Sequence, residues 1–211
     1  MSGATLIAFA FVAFVGIATP GPTVLLALSN GSRFGVRRAI AGMFGAVLSD
    51  LVLIGAVAFG LGALLAASEF WFAVVKWIGV AYLAFLGLVL LRSGRSVTTM
   101  PDKHSAAAEM SARMLFVRCF LVAATNPKGY LFFSAFLPQF INPASSQISQ
   151  YATLAFVFAA IDLAVMLVYA GFGAQAAKLL SSSAAVWSDR ICGGVLLALA
   201  GTMALYRRAS N

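Results

Sequence analysis

Three charged residues lie inside stretches of sequence that are otherwise apolar: Asp50, Lys128 and Asp162. A charged side chain at the centre of a membrane helix costs about 2.5–3.5 kcal/mol on insertion scales, so such residues face a bundle interior and often mark ion or proton paths. Desolvation favours a neutral aspartate and a nearby lysine favours a charged one, so an aspartate under both influences can carry a proton. A static Asp–Lys pair that orders the helices is the alternative, and the sequence leaves both open.

Two proline-containing runs interrupt apolar stretches and supply the other candidate site residues. The first run is Thr19, Pro20, Gly21 and Pro22, and the second is Asn126, Pro127, Lys128 and Gly129. In each run a good helix-capping residue precedes a proline suited to the first helical position, which predicts the start of a half-helix. The free N–H groups and partial positive charge of such a start form a site for a carboxylate. A proline kink that only aids helix packing is the alternative.

The composition defines the surroundings of these residues. Hydrophobic residues make up 62% of the 211 residues and charged residues 9%, whereas soluble domains have about 45–50% and about 25%. A soluble chain of this length could not bury so much apolar surface, which excludes a soluble enzyme, a nucleic-acid-binding domain and a disordered regulator. The net charge of +8 comes from basic residues in short breaks between apolar runs. We therefore expect the lipid bilayer, and no nucleic acid, as a partner.

Six apolar runs are long enough to cross a bilayer core, which takes about 20 residues per helix. They cover approximately residues 4–28, 39–66, 71–91, 119–141, 151–173 and 190–206. Most lysine and arginine residues follow the first, third and fifth runs, which predicts a multi-pass protein with both termini outside the cytoplasm. The polar segment from about 92 to 118 is predicted to be a cytoplasmic linker.

The three runs before the linker share features with the three after it. The corresponding features, in the same order, are the two proline breaks, the aspartates at 50 and 162, and glycine pairs at 79 and 87 and at 193 and 201. An odd number of spans per copy inverts the second copy, an architecture typical of secondary transporters. We therefore predict one all-α transmembrane transporter domain over 1–211, with six helices as a 3+3 inverted-topology repeat. Repeat 1 covers about 4–91 and repeat 2 about 119–208.

This repeat also predicts where the two breaks lie. An approximate two-fold axis in the membrane plane would bring them close together, with Pro20 and Pro127 facing the interior of the bundle. Because intramembrane charges also face the interior, Asp50, Asp162 and Lys128 are expected near the same place.

The same residues carry a family resemblance. Its elements are the run at 19–22, the run from Asn126 to Phe133 followed by Leu137 to Phe140, Gly45 shortly before Asp50, and the pattern of Gly79, Tyr82, Leu83 and Gly87. Over almost its whole length the chain resembles the lysine exporter / RhtB (LysE-type) family of amino-acid efflux transporters. The resemblance implies a bacterial inner-membrane exporter of amino acids or close derivatives, driven by proton motive force. It does not choose among homoserine, threonine, leucine, lysine, cysteine or an analogue.

The resemblance also implies which residues act in transport. By position these are Pro20, Gly21, Pro22, Asp50, Asn126, Pro127 and Lys128, and the repeat argument adds Asp162. The implied partners are a small amino-acid-like substrate and protons, and a homodimer is compatible with six thin helices around a polar path. No catalytic role and no cofactor are expected.

Two other classes of function remain as alternatives. A metal-ion exporter needs clustered histidine, cysteine or carboxylate ligands, and the sequence has a single histidine, His104, in the linker. A membrane thiol-redox protein needs paired cysteines, and Cys119 and Cys192 form no C-x-x-C motif. Export of another small solute is the closer alternative to amino-acid export.

Overall fold

The structure is a computed structural model that describes residues 1–60, 69–93, 110–179 and 182–205. These residues form helices joined by short turns, and they contain no strand. The helices are α1 (Gly3–Ala18), α2 (Pro22–Phe34), α3 (Val36–Ala58), α4 (Glu69–Ser93), α5 (Ala112–Ala124), α6 (Pro127–Ala135), a 3-10 helix (Leu137–Phe140), α7 (Gln147–Leu179) and α8 (Ser182–Leu205).

Length and apolar composition identify which helices can cross a membrane. Among the described residues, α3 and the Gln147–Ala177 part of α7 pass this test, and α1 and α2 pass it together as one span bent by 61°. A strongly apolar helix needs a lipid surrounding because each of its faces, not only one, carries hydrophobic side chains. The chain is therefore an all-helical membrane protein, and the predicted count of six spans stays a prediction.

Apolar side chains cover much of the outside of the molecule as well as its interior. Large apolar side chains lie on the outside, such as Phe59 at 88% exposure and Phe156 at 77%. Polar side chains lie inside, and Asn30, Ser49 and Asp162 are each buried. This arrangement suits lipid as the solvent, because lipid accepts apolar surface and cannot hydrogen-bond a polar group.

Three helix pairs form the main contacts: α2 with α7, α3 with α5, and α4 with α8. Glycines allow the close approach in each pair. A Cβ added at Gly31 would overlap the backbone of Ala170, and one at Gly45 would overlap the carbonyl of Phe116. In the third pair, a Cβ at Gly87 would lie 2.9 Å from the backbone oxygen of Gly193. Small residues at such interfaces are how membrane helices gain van der Waals contact without a hydrophobic driving force.

Most helices extend beyond their predicted bounds; α8, for example, begins at Ser182 rather than at residue 190. Helix α5 begins at Ala112 rather than at residue 119, and Ser111 caps it by accepting a hydrogen bond from the backbone N–H of Met114 at 3.2 Å. The predicted start lay too far along the sequence because Arg113 and Arg118 were interpreted as loop residues, whereas they belong to the first turns of the helix. Helix α7 covers 147–179 rather than 151–173. Residues 94–109 of the predicted linker, including His104, lie outside the described residues.

Candidate functional site

The first break separates α1 from α2 through an extended segment. Thr19 has φ −63° and ψ 122°, and both its N–H and its Oγ1 donate to the carbonyl of Val15, at 3.2 and 2.8 Å. Thr19 therefore ends α1 and does not cap α2, which corrects the prediction. The N-cap of α2 is Gly21 and its first residue is Pro22. The physical reason is that a residue before proline avoids the helical region, so the second proline of the run delays the helix start to Pro22.

The second break has the predicted cap. Asn126 is the N-cap of α6, its Oδ1 accepts a hydrogen bond from the backbone N–H of Lys128 at 3.1 Å, and Pro127 is the first helical residue. The two breaks therefore differ in the donors that they leave free. At α2 the N-cap is a glycine, so no side chain takes up the first N–H groups, those of Thr23 and Val24, which have no partner within the helix.

Side chains of the second half of the chain bind the carbonyls that the first break leaves unpaired. The Nζ of Lys128 donates to the carbonyl of Thr19 at 2.7 Å, and the hydroxyl of Tyr169 donates to the carbonyl of Ala18 at 3.0 Å. A cation near a helix C-terminus is also favoured by the helix dipole. The two breaks thus meet in space. Pro20, expected to face the interior, is exposed, and Pro22 is buried.

A cavity of about 50 Å³ lies where the breaks meet α3 and α7. Its lining residues are Gly16, Ile17, Thr23, Asp50, Asn126, Lys128, Gly129, Phe132, Phe133, Phe158 and Asp162. Four of the residues proposed for transport, those at 50, 126, 128 and 162, are among them. Residues 19–22 are not among the lining residues, and with Pro127 they form the two breaks that place the half-helices.

The two aspartates face each other across the α3–α7 contact. Their carboxyl groups lie close enough to interact directly, and Asp162 is buried with its Oδ2 unpartnered among the described residues. Asp50 is partly exposed because it borders the cavity. Two neighbouring carboxylates disfavour ionisation of both, so such a pair is suited to sharing one proton.

Lys128 is the cation of this site. Its ammonium group attracts Asp162 electrostatically while it donates to the carbonyl of Thr19. Asp162 interacts both with Asp50 and with Lys128, so the predicted Asp–Lys pair involves Asp162.

Aromatic rings form the other side of the cavity. The ring centroid of Phe133 lies 4.8 Å from that of Phe158, and the centroid of Phe132 lies 5.7 Å from Phe133 and 5.6 Å from Phe158. Sequence reasoning missed Phe158, Thr23 and Tyr169. A helical-face argument could have found two of them, because Phe158 precedes Asp162 by one turn and Tyr169 follows it by two turns on the same face.

The site has no metal-binding character in the part of the chain that the structure describes, where no group of three histidine, cysteine, aspartate or glutamate side chains is positioned to hold an ion. Both cysteines are buried and reduced, and neither lines the cavity. Cys119 accepts a hydrogen bond from Asn30 at 3.4 Å, and the Sγ of Cys192 lies 3.6 Å from the carbonyl oxygen of Leu25.

Comparison with known proteins relates this architecture to transport. Residues 14–207 match the family of LysE type translocators. A homoserine/homoserine lactone efflux protein of Salmonella typhimurium is 34% identical over 152 residues, which cover 72% of each chain. A leucine efflux protein of Enterobacter sp. is 31% identical over 134 residues, 64% of this chain and 62% of the relative. A membrane protein of Vibrio cholerae is 32% identical over 176 residues, 83% of this chain and 84% of the relative. No solved structure matches.

Proposed function

The chain belongs to the LysE-type translocator family, and on that premise we propose that it exports amino acids or close derivatives across the bacterial cytoplasmic membrane, driven by proton motive force. The relatives named for efflux of homoserine, its lactone and leucine favour a neutral amino acid or derivative. A neutral amino acid carries a carboxylate and an ammonium group at fixed separation, so its site needs donors and acceptors facing each other; in a lactone the ester carbonyl takes the place of the carboxylate.

The observation that carries this proposal is the cavity in which a lysine, a free helix start and two carboxyl groups meet. The substrate carboxylate binds the N–H groups of Thr23 and Val24 at the start of α2, together with the ammonium group of Lys128. The substrate ammonium group binds Asp162 and Asp50. The remaining proposed residues act by holding the two helix starts in place: Thr19, Pro20, Gly21, Pro22, Asn126 and Pro127.

The shared proton of the two aspartates provides the coupling. The substrate ammonium group and this proton compete for the same carboxyl oxygens, so the pair holds one or the other. On the cytoplasmic side the arriving substrate displaces the proton, and on the outer side a proton displaces the substrate. One proton then enters for each molecule exported.

A six-span fold with a 3+3 inverted repeat accommodates this cycle. In such a repeat the first, second and third predicted spans correspond to the fourth, fifth and sixth. A contact between the first and fifth spans therefore has its counterpart between the fourth and second, and a contact between the third and sixth spans is its own counterpart. The main helix contacts follow this scheme at the level of whole spans, with α2 on α7, α3 on α5, and α4 on α8. Rocking of one half against the other would expose the cavity alternately to each side.

The test is an export assay in cells that overproduce the protein and are loaded with dipeptides. We expect the free amino acid to appear in the medium with the wild-type chain and not with Lys128→Met or Asp162→Asn. Asp102→Asn, in the polar segment between the halves, is the matched control and should export normally. Equal export by all four chains, or none by the wild type for any amino acid, would contradict the proposal.

A further inference from the structure

The charged and aromatic residues of the cavity are arranged in two rows one helical turn apart. On α6, Phe132 follows Lys128 by four residues, and on α7, Phe158 precedes Asp162 by four residues. Residues four apart lie on the same face of a helix, and four residues span about 6 Å along its axis. A molecule held by its charged groups at the lysine and the aspartates therefore has the aromatic row within reach of a short side chain.

We define the aromatic wall as Phe132, Phe133 and Phe158. Phe133 and Phe158 are buried, and Phe132 is partly buried. The wall is bordered by Gly129, whose lack of a side chain leaves space beside the rings, and by Gly16, where an added Cβ would lie 3.3 Å from Phe132. Among the residues that the structure describes, the charged groups that line the cavity, at positions 50, 128 and 162, belong to the other row.

We propose that the aromatic wall is the subsite for the substrate side chain, and that it selects amino acids with neutral, apolar side chains. This inference rests on the proposed function, because it requires that the charged row binds the α-carboxylate and α-ammonium groups. It adds what that function leaves open, namely which amino acids are exported.

The geometry of the rings argues against a charged side chain at this place. Phe133 meets Phe132 at an interplanar angle of 84° and Phe158 at 67°, so these faces and edges already contact one another. A cation can bind a free aromatic face, but burying an ammonium or carboxylate group without a partner costs more than such contact returns. An apolar side chain meets no such penalty and gains the contact area of three rings.

Gly129, which borders the aromatic wall, provides a test of how much space the subsite offers a side chain. A Cβ added at Gly129 would lie 3.5 Å from Leu53 Cδ1 and 3.7 Å from Phe133 Cε2, which is ordinary van der Waals contact. Gly129→Ala therefore fills space beside the wall without forcing its neighbours apart. Gly194→Ala is the matched control, because a Cβ there meets nothing within 4 Å and Gly194 does not line the cavity.

The experiment measures export of leucine, alanine, lysine and glutamate from cells loaded with the corresponding dipeptides. We expect the wild type to export leucine at least about tenfold faster than lysine or glutamate. Gly129→Ala should slow leucine export about tenfold and alanine export much less, since one methylene in an apolar pocket changes selectivity by about 10–200-fold. Gly194→Ala should match the wild type, and Phe158→Leu, a milder change than alanine, should reduce the preference for leucine over alanine.

The outcomes separate this inference from the proposed function. Faster export of lysine than of leucine would show a cation subsite and overturn the inference while leaving amino-acid export standing. Equal slowing of leucine and alanine by Gly129→Ala, in protein that melts normally in detergent, would show that the wall serves as a gate and not as a side-chain subsite. Absence of export for every amino acid would overturn the proposed function and the inference with it.

Discussion

Asp50 and Asp162 interact across the α3–α7 contact, and on the proposed function they share one proton. Conversion of either carboxyl group to an amide supplies an N–H donor to the remaining carboxylate, so we expect the contact to persist while the exchangeable proton is lost. This property makes the asparagine variants informative, since a change in transport then does not depend on a change in folding.

We predict that Asp50→Asn abolishes export driven by a pH gradient in proteoliposomes and preserves the fold. The melting temperature in detergent should change by less than about 4 °C, which corresponds to about 1 kcal/mol for a chain of this size. Exchange of labelled for unlabelled substrate across the membrane, which needs no proton movement, should continue.

A purely structural role for the charges predicts a different result. Loss of one charge would then strand its partner, so Asp162→Asn would lower stability, and the double change with Lys128→Met would restore both stability and export. Restored export in the double variant would contradict the proton-carrier role.

Among the described residues no side chain caps the N–H groups at the start of α2, because the N-cap, Gly21, has no side chain. We predict that Gly21→Ser lowers export, because a serine hydroxyl at an N-cap accepts a hydrogen bond from the same N–H groups that the substrate carboxylate needs. The control is Gly21→Ala, whose Cβ would make only ordinary contacts, 3.5 Å from the Nζ of Lys128. Its export should stay closer to wild type, and equal loss in both variants would contradict a carboxylate site at this helix start. Export in the loaded-cell assay measures the difference.

The charged residues of the site were predictable from sequence, because the cost of a charge in lipid depends on its immediate surroundings alone. The other residues that complete the site were not predictable from sequence. Tyr169 reaches the carbonyl of Ala18 through the packing of α7 on the first break, and Thr23 enters the cavity only because α2 starts later than predicted. Contacts between residues far apart in sequence depend on helix packing, which local patterns do not encode.

At the scale of the helices, the close approach of backbones at glycine positions is the main determinant of which helices pack against each other. The overlap at Gly45 involves the carbonyl group of Phe116 on α5, and a backbone group cannot move aside as a flexible side chain can. Ten residues later in the same helix, a Cβ at Gly55 would meet nothing within 4 Å. The two positions form a matched pair.

We predict that Gly45→Ala destabilises the protein by about 1–3 kcal/mol or more, the cost of overpacking a close interface. Gly55→Ala should be neutral or stabilising by up to about 1 kcal/mol, because alanine is the better helix former. Thermal melting in detergent measures both. Equal melting temperatures for the two variants would show that α3 and α5 do not pack as described.

Helix boundaries were predictable where capping is local, as at Asn126. They were mispredicted where two signals competed. The first break contains two prolines, and each could have started a helix; the structure uses Pro22, so that Thr19 ends α1. The start of α5 was also missed, because Arg113 and Arg118 resemble loop residues until the helix that carries them is known.

At the scale of the molecule, the six-span proposal predicts on which side of the membrane each turn lies. Four spans separate the N-terminus from the turn before α7, so Ser2 and Ser145 should lie on the same, outer side, with Arg37 on the cytoplasmic side. All three side chains are exposed, whereas both native cysteines are buried and should stay silent.

We predict that cysteines introduced singly at Ser2 and Ser145 react with a membrane-impermeant thiol reagent on intact spheroplasts. A cysteine at Arg37 should react only after permeabilisation, and the wild-type chain should not react in either state. Reaction of the Ser2 and Ser145 sites from opposite sides would contradict four crossings between them.

The volume of the cavity has a consequence for the concentration at which the protein works. A space of about 50 Å³ is smaller than the cavity of about 150 Å³ that is known to bind benzene. We therefore expect an amino acid to bind only the fraction of molecules in which the aromatic wall has moved, so that the apparent Kd equals the intrinsic Kd divided by that fraction. On the proposed function, the energy of opening then sets a threshold concentration of amino acid below which most copies are idle.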